Sequence, residues 1–132
     1  MKHPEYFHNL HTGGVLRELS SIAHSRIFPG EHAMLSVVTI DPSLNPAHEK
    51  VTPVHSHPNE QWGVLLEGEM VRILDGEEYF VKEGDIWQTP PNMPHGVRLL
   101  DKKCVILEIF SPPRDEYRVA GSGLGDVHYQ SK

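Results

Sequence analysis

Apolar positions in this chain come in short runs, each closed by glycine, proline, aspartate or asparagine. AMLSVVTI (33–40) is rich in β-branched residues and stops at Asp41-Pro42, a turn signal. Runs at 51–56 and 61–66 are separated at His57-Pro58-Asn59. MVRIL (70–74) and EEYFV (77–81) flank Asp75-Gly76, a dipeptide suited to a two-residue hairpin turn. A short run at 86–89 follows the turn Lys82-Glu83-Gly84-Asp85, and PPNMP (90–94) suits neither a helix nor a central strand. The last strands, 97–100 and 105–110, are joined through the charged turn 101–103. VLRELSSIAH (15–24) leaves a helical turn and an early strand both open. About eight to ten short strands with tight turns and almost no helix predict an all-β sandwich or closed barrel. Residues 1–24 are expected as an N-terminal arm or edge segment, 25–118 as the barrel and 119–132 as a flexible tail.

Composition narrows the partners. A chain of 132 residues, 23% charged and 38% hydrophobic, fits one globular domain with its own core. Net charge is −6, and Lys102-Lys103 is the one basic pair, which argues against nucleic acid. The single cysteine, Cys104, excludes an internal disulfide and lies in an apolar run where a small core residue fits. No apolar stretch has the length of a membrane span, and the first residues lack the apolar segment of a secretory signal. A cytoplasmic protein that binds neither membrane nor nucleic acid is the expectation.

HSHPNEQ (55–61) concentrates the candidate chemistry. Side chains alternate faces along a strand, so His55, His57 and Gln61 share one face if the segment stays extended. Glu60 then points the other way, although the Pro58 corner keeps it open as an alternative oxygen ligand. GDIWQTPPNMPHGV (84–97) ends a strand, turns on stiff prolines and presents His95, the fixed placement a metal ligand needs. In CVILEIF (104–110), Glu108 shares a face with Ile106 and Phe110. Inside a barrel it becomes a general acid/base with a raised pKa; facing solvent, or paired with Arg72 or Arg26, it has a structural role. Arg114, after Ser111-Pro112-Pro113, suits a rim clamp for a carboxylate or an ordinary surface position. Trp87 is a candidate pocket wall or a core residue.

Here the chain resembles the cupins, whose motifs read G(X)5HXH(X)3–4E(X)6G and G(X)5PXG(X)2H(X)3N. His55, His57 and Gly68 fall on the first, with Gln61 at the place of the acidic ligand; Gly84, Pro90 and His95 fall on the second. Glu49, Asn92 and Leu99 replace two glycines and an asparagine, and none of these removes a ligand. The resemblance implies a double-stranded β-helix (jelly-roll barrel) binding one divalent ion, Fe, Mn, Ni or Zn, through His55, His57, Gln61 and His95.

EIFSPPR (108–114) is further similar to the small cupins of pectin and alginate breakdown, which convert unsaturated uronates. That likeness implies Glu108, Phe110 and Arg114 as site residues, with glutamate where those proteins carry aspartate. The expected function is metal-dependent isomerase- or lyase-type chemistry on a small, anionic, sugar-like or keto-acid molecule. The alternatives are an iron dioxygenase and a non-catalytic binding protein. No further cofactor is called for. Strands apolar on both faces, WGVLLEG and CVILEIF, predict a homodimer.

Overall fold

The computed structural model describes residues 2–114. Nine strands make up its sheets: β1 (Val15–Ser20), β2 (Ala23–Pro29), β3 (Met34–Ile40), β4 (Glu60–Glu67), β5 (Glu69–Leu74), β6 (Glu77–Lys82), β7 (Ile86–Thr89), β8 (His95–Leu99) and β9 (Cys104–Ser111). A six-stranded sheet runs in the order β1-β2-β3-β9-β4-β7, and a three-stranded sheet in the order β6-β5-β8. Every pairing is antiparallel. The architecture is an all-β double-stranded β-helix with an N-terminal arm, and helix among the described residues is limited to 3-10 turns at Pro4–Tyr6 and Pro42–Leu44. No helix of the described chain is long and apolar enough to cross a membrane. The expected tail, 119–132, lies outside the described residues.

Three stretches differ from, or decide, the sequence expectation. Residues 15–24 become β1 and the turn into β2, so β1 is the edge strand, and the expected boundary at 24/25 falls inside β2. Residues 51–56 form no regular strand. Pro53 and Pro58 lack the N–H a ladder needs, and only isolated bridges survive, Val51 to Arg98 and His55 to His95. The strand expected at 97–100 starts two residues earlier, because His95 pairs with Leu74 on one side and bridges His55 on the other. The Asp75-Gly76 hairpin forms as expected, with φ of +50° and +82° as a type I′ turn demands.

Inward-facing residues stack in layers along the barrel axis. One end is apolar: Leu65, Met70, Leu99, Cys104 and Ile106 are almost fully buried together. The other end is polar, with Gln61 in register with both Thr89 and Phe110, and with His95 at the start of β8. Between them, Gly63 stands opposite Glu108 on one side and Trp87 on the other. The Trp87 indole lies across Gly63, where a Cβ would collide with the ring. Arg72 of β5 then stacks on that indole, its guanidinium 5.6 Å from the ring centroid.

The outer face of the large sheet is apolar as well. Leu35 and Trp62 flank Ile109 in register, and Val64 stands between Leu107 and Ile86 in the adjacent row. Trp62 keeps 42% of its surface exposed and Ile86 67%.

Gly63→Val should drive the Trp87 ring out of place, since overpacking of this kind costs about 1–3 kcal/mol. Urea unfolding monitored by tryptophan fluorescence checks this; an unchanged midpoint would show that the ring has room to move.

Candidate metal centre and cavity

The polar end of the barrel brings together three histidines from two distant stretches. The bridge between His55 and His95, with N–H···O distances of 3.0 and 2.9 Å, joins the first stretch to β8. His57 is held through its carbonyl, which accepts the Asn92 N–H at 2.7 Å. Asn92 sits at φ +64°, a left-handed conformation that glycine and asparagine adopt most readily, so asparagine here meets the requirement of a glycine.

Each imidazole turns Nδ1 toward a main-chain carbonyl two residues away: His55 to Pro53 (3.3 Å), His57 to Asn59 (3.1 Å) and His95 to Met93 (2.9 Å). A neutral ring donating there leaves Nε2 as the lone-pair nitrogen. Burial pushes the His95 pKa down to about 4, and the charge on Arg72 adds to the effect. His57 is also lowered, by burial first and then by Arg114. Both rings are therefore neutral at pH 7, the form that ligates a metal. One ring nitrogen from each of the three histidines lies within 4.8 Å of those of the others. His95 Nε2 is buried with no hydrogen-bond partner.

Gln61 completes a polar chain. Its amide Nε2 donates to Glu108 Oε2 at 2.7 Å, which turns Oε1 toward His57 Nε2 at 3.1 Å. With the His57 proton on Nδ1, two lone-pair atoms face each other, an arrangement that a cation between them relieves. An orphaned nitrogen, converging lone pairs and neutral imidazoles form a cluster suited to a divalent ion.

A cavity of about 390 Å³ opens over the cluster, lined by His55, Gln61, His95, Glu108, Phe110 and Arg114 among others. That volume is in the range of small-molecule sites. Glu108 faces inward, between buried Ile106 and Phe110. Burial raises its pKa, while Arg72 and Arg114 pull the other way. The Arg114 guanidinium lies over the Phe110 ring at 5.3 Å from the centroid. His57 adjoins the cavity through ring contacts with His95 (4.8 Å) and Phe110 (5.8 Å).

Trp87 is placed elsewhere. It lines a second cavity with Tyr79, Asp85 and Ile86, and Arg72 borders both cavities. Glu60 accepts a hydrogen bond from Gln88 at 2.8 Å on the opposite side of β4. One contributor, Asn59, escapes a reading of motifs, and Arg72 enters that reading only as a partner for Glu108. Asn59 is buried and donates to the carbonyls of Pro112 (2.7 Å) and Pro113 (3.3 Å), tying the His57 loop to the segment that carries Arg114. Its odd number, shared with His57 and Gln61, is the one available signal. Arg72, the lone cation of MVRIL, faces inward at 4% exposure.

Comparison with known proteins agrees with this geometry. Residues 44–110, just over half of the chain, match the family described as Cupin domain. The pectin degradation protein KdgF of Dickeya dadantii (strain 3937) is 30% identical over 64 residues, covering 48% of this chain and 58% of that protein. A 3-hydroxyanthranilate 3,4-dioxygenase of Jannaschia sp. (strain CCS1) is 42% identical over 50 residues, covering 35% of this chain and 28% of the relative. The matches thus span less than two thirds of either protein. The structure of KdgF from Halomonas sp. superposes with a TM-score of 0.71 at 23% identity, covering 84% of this chain and 96% of the other, which establishes likeness of fold. Two inward-turned sheets, a histidine cluster at one end and a family match across the strands that carry it lead to one conclusion: this chain belongs to the cupin family.

Proposed function

We propose that this chain is a metal-dependent enzyme acting on a small carboxylated molecule, sugar-like or a keto acid, by isomerase- or lyase-type proton transfer. The reading rests on one observation: lone-pair donors converge within one hydrogen bond of an inward-facing acid, Glu108. His55, His57, His95 and Gln61 Oε1 are the ligands in this reading. His57 Nε2 and Gln61 Oε1, 3.1 Å apart, would be two of the donor atoms that hold a divalent ion. A divalent ion bound there supplies Lewis acidity toward a carbonyl or hydroxyl oxygen. Four neutral donors leave its charge undiminished, which favours anionic oxygen groups.

Glu108 takes the proton from carbon and returns it, and burial raises its pKa above the ordinary carboxylate value, which makes its ionised form a stronger base. Arg114 fixes a carboxylate at the rim, and Phe110, under that guanidinium, offers a flat apolar wall. Similarity to a pectin degradation protein supports a uronate-like substrate. The second reading, iron-dependent dioxygenation in the same cavity, is favoured by the similarity to a 3-hydroxyanthranilate dioxygenase, and oxygen uptake during turnover separates the two. If a panel of uronates and keto acids is bound without product under either condition, the chain is a binding protein.

The apolar row Leu35, Ile109 and Trp62 supports a homodimer formed through the outer face of the large sheet. Light scattering should then give twice the 14.9 kDa chain mass, and the Trp62→Asp/Ile109→Lys pair should give the single chain. A monomeric wild type ends that proposal.

Metal analysis of purified protein should give a near-stoichiometric divalent ion. His57→Ala should weaken its binding by more than ~100-fold, and Glu60→Ala should leave it unchanged. Absence of metal even after reloading overturns the mechanism. On a converted substrate, Glu108→Gln should lower kcat by ~10²–10⁴-fold with metal content retained. Arg114→Met should chiefly raise KM, by about 10–100-fold.

A further inference from the structure

Arg72 is not used by that mechanism, and its setting is unusual. It is a permanently charged group with five donors, 4% exposed inside the barrel. Among the described residues its hydrogen-bond partner is Thr89 Oγ1, at 3.0 Å from Nη2. Its Nε is buried with no partner. The Trp87 ring covers one side, and among the described residues Arg72 forms no ion pair with a carboxylate; Gln61, not Arg72, holds Glu108. A guanidinium this buried is costly to maintain unless something anionic completes its surroundings. It also lines the same cavity as the histidines and Arg114. Arg114 comes from the segment after β9 in the large sheet, whereas Arg72 comes from the small sheet and the layer beneath the histidines.

We propose that Arg72 is a second anion-binding group in the floor of the cavity, so that the molecule taken there carries two anionic groups. One meets Arg114 at the rim and the other meets Arg72 below. A dicarboxylate or carboxylated oxyanion fits this charge pattern better than a monoanion, since Arg72 and Arg114 outnumber Glu108 even before an ion is counted. Thr89 Oγ1 fixes the guanidinium against rotation, and the indole supports it from behind. This assignment rests on the reading of the cavity as the substrate site, but not on the metal.

The test is calorimetric titration of the chelator-treated and the zinc-reloaded chain with malonate, succinate and glutarate, each beside its own monoamide. At least one dicarboxylate should bind tenfold or more tightly than its monoamide in both forms. Arg72→Met should reduce that ratio to within threefold while leaving monoamide binding intact, whereas Arg114→Met should weaken both ligands together. The wild type carries an independent readout, the ¹⁵Nε–H resonance of Arg72, which should shift with the dicarboxylate and not with the monoamide. No preference for a dicarboxylate, a ratio that survives Arg72→Met, or a resonance unmoved at saturation would overturn the assignment and leave Arg72 as a distant counter-charge to Glu108. A chain that takes up none of zinc, iron, manganese or nickel yet keeps the preference would sink the metal mechanism alone.

Discussion

The hydrogen bond from Gln61 to Glu108 joins the two halves of the site. On one side it orients an amide oxygen toward His57; on the other it gives a buried carboxyl group a donor. An amide can present either end, and only its partner decides which. If Gln61 turned over, an N–H₂ group would face the lone pairs of the histidines and repel the ion they suit. The ligand cluster and the acid are thus two ends of one polar chain. β4 and β9 hold that chain in register through the pairing of Gly63 with Glu108.

The barrel separates stability from chemistry along its axis. At one end Leu65, Met70, Leu99, Cys104 and Ile106 pack without polar interruption. At the other, His57, Gln61, Thr89 and His95 are nearly as buried. Buried polar groups stabilise a fold only when partnered, and here main-chain carbonyls provide much of that partnership. Three imidazoles each turn Nδ1 toward a carbonyl two residues away, and with the proton there the other nitrogen is left with its lone pair. The apolar end carries the folding free energy that lets the polar end keep orphaned nitrogens.

Much of this was legible before any coordinates. Short runs closed by turn residues gave the β class. The period of two put His55, His57 and Gln61 on one side and Glu60 on the other if the segment stayed extended. It does not run as a strand before Glu60, yet His57 and Gln61 are buried together and Glu60 pairs with Gln88 on the opposite side of β4. The strand expected at 51–56 is reduced to isolated bridges, because Pro53 within it and Pro58 just beyond it lack the N–H a ladder needs. Trp87 was ambiguous for a different reason: its place depends on a bare Gly63 on the neighbouring strand, which no local pattern announces. Asn59 and Arg72 act through pairings far away in sequence, to Pro112 and Thr89. Single-strand periodicity reports which face a residue occupies, never what waits opposite.

Gly63 has a consequence for how such a barrel can change over time. The indole occupies the volume that a side chain at 63 would need, and the guanidinium of Arg72 rests on that indole. The three positions lie on three strands and in two sheets, yet none can drift by itself. A relative with a bulky residue at 63 must have a smaller one at 87, and then lacks the aromatic surface on which a cation at 72 is supported. Substitution at these sites should therefore occur as a set, and across relatives the loss of the glycine should mark barrels whose interior carries a different charge.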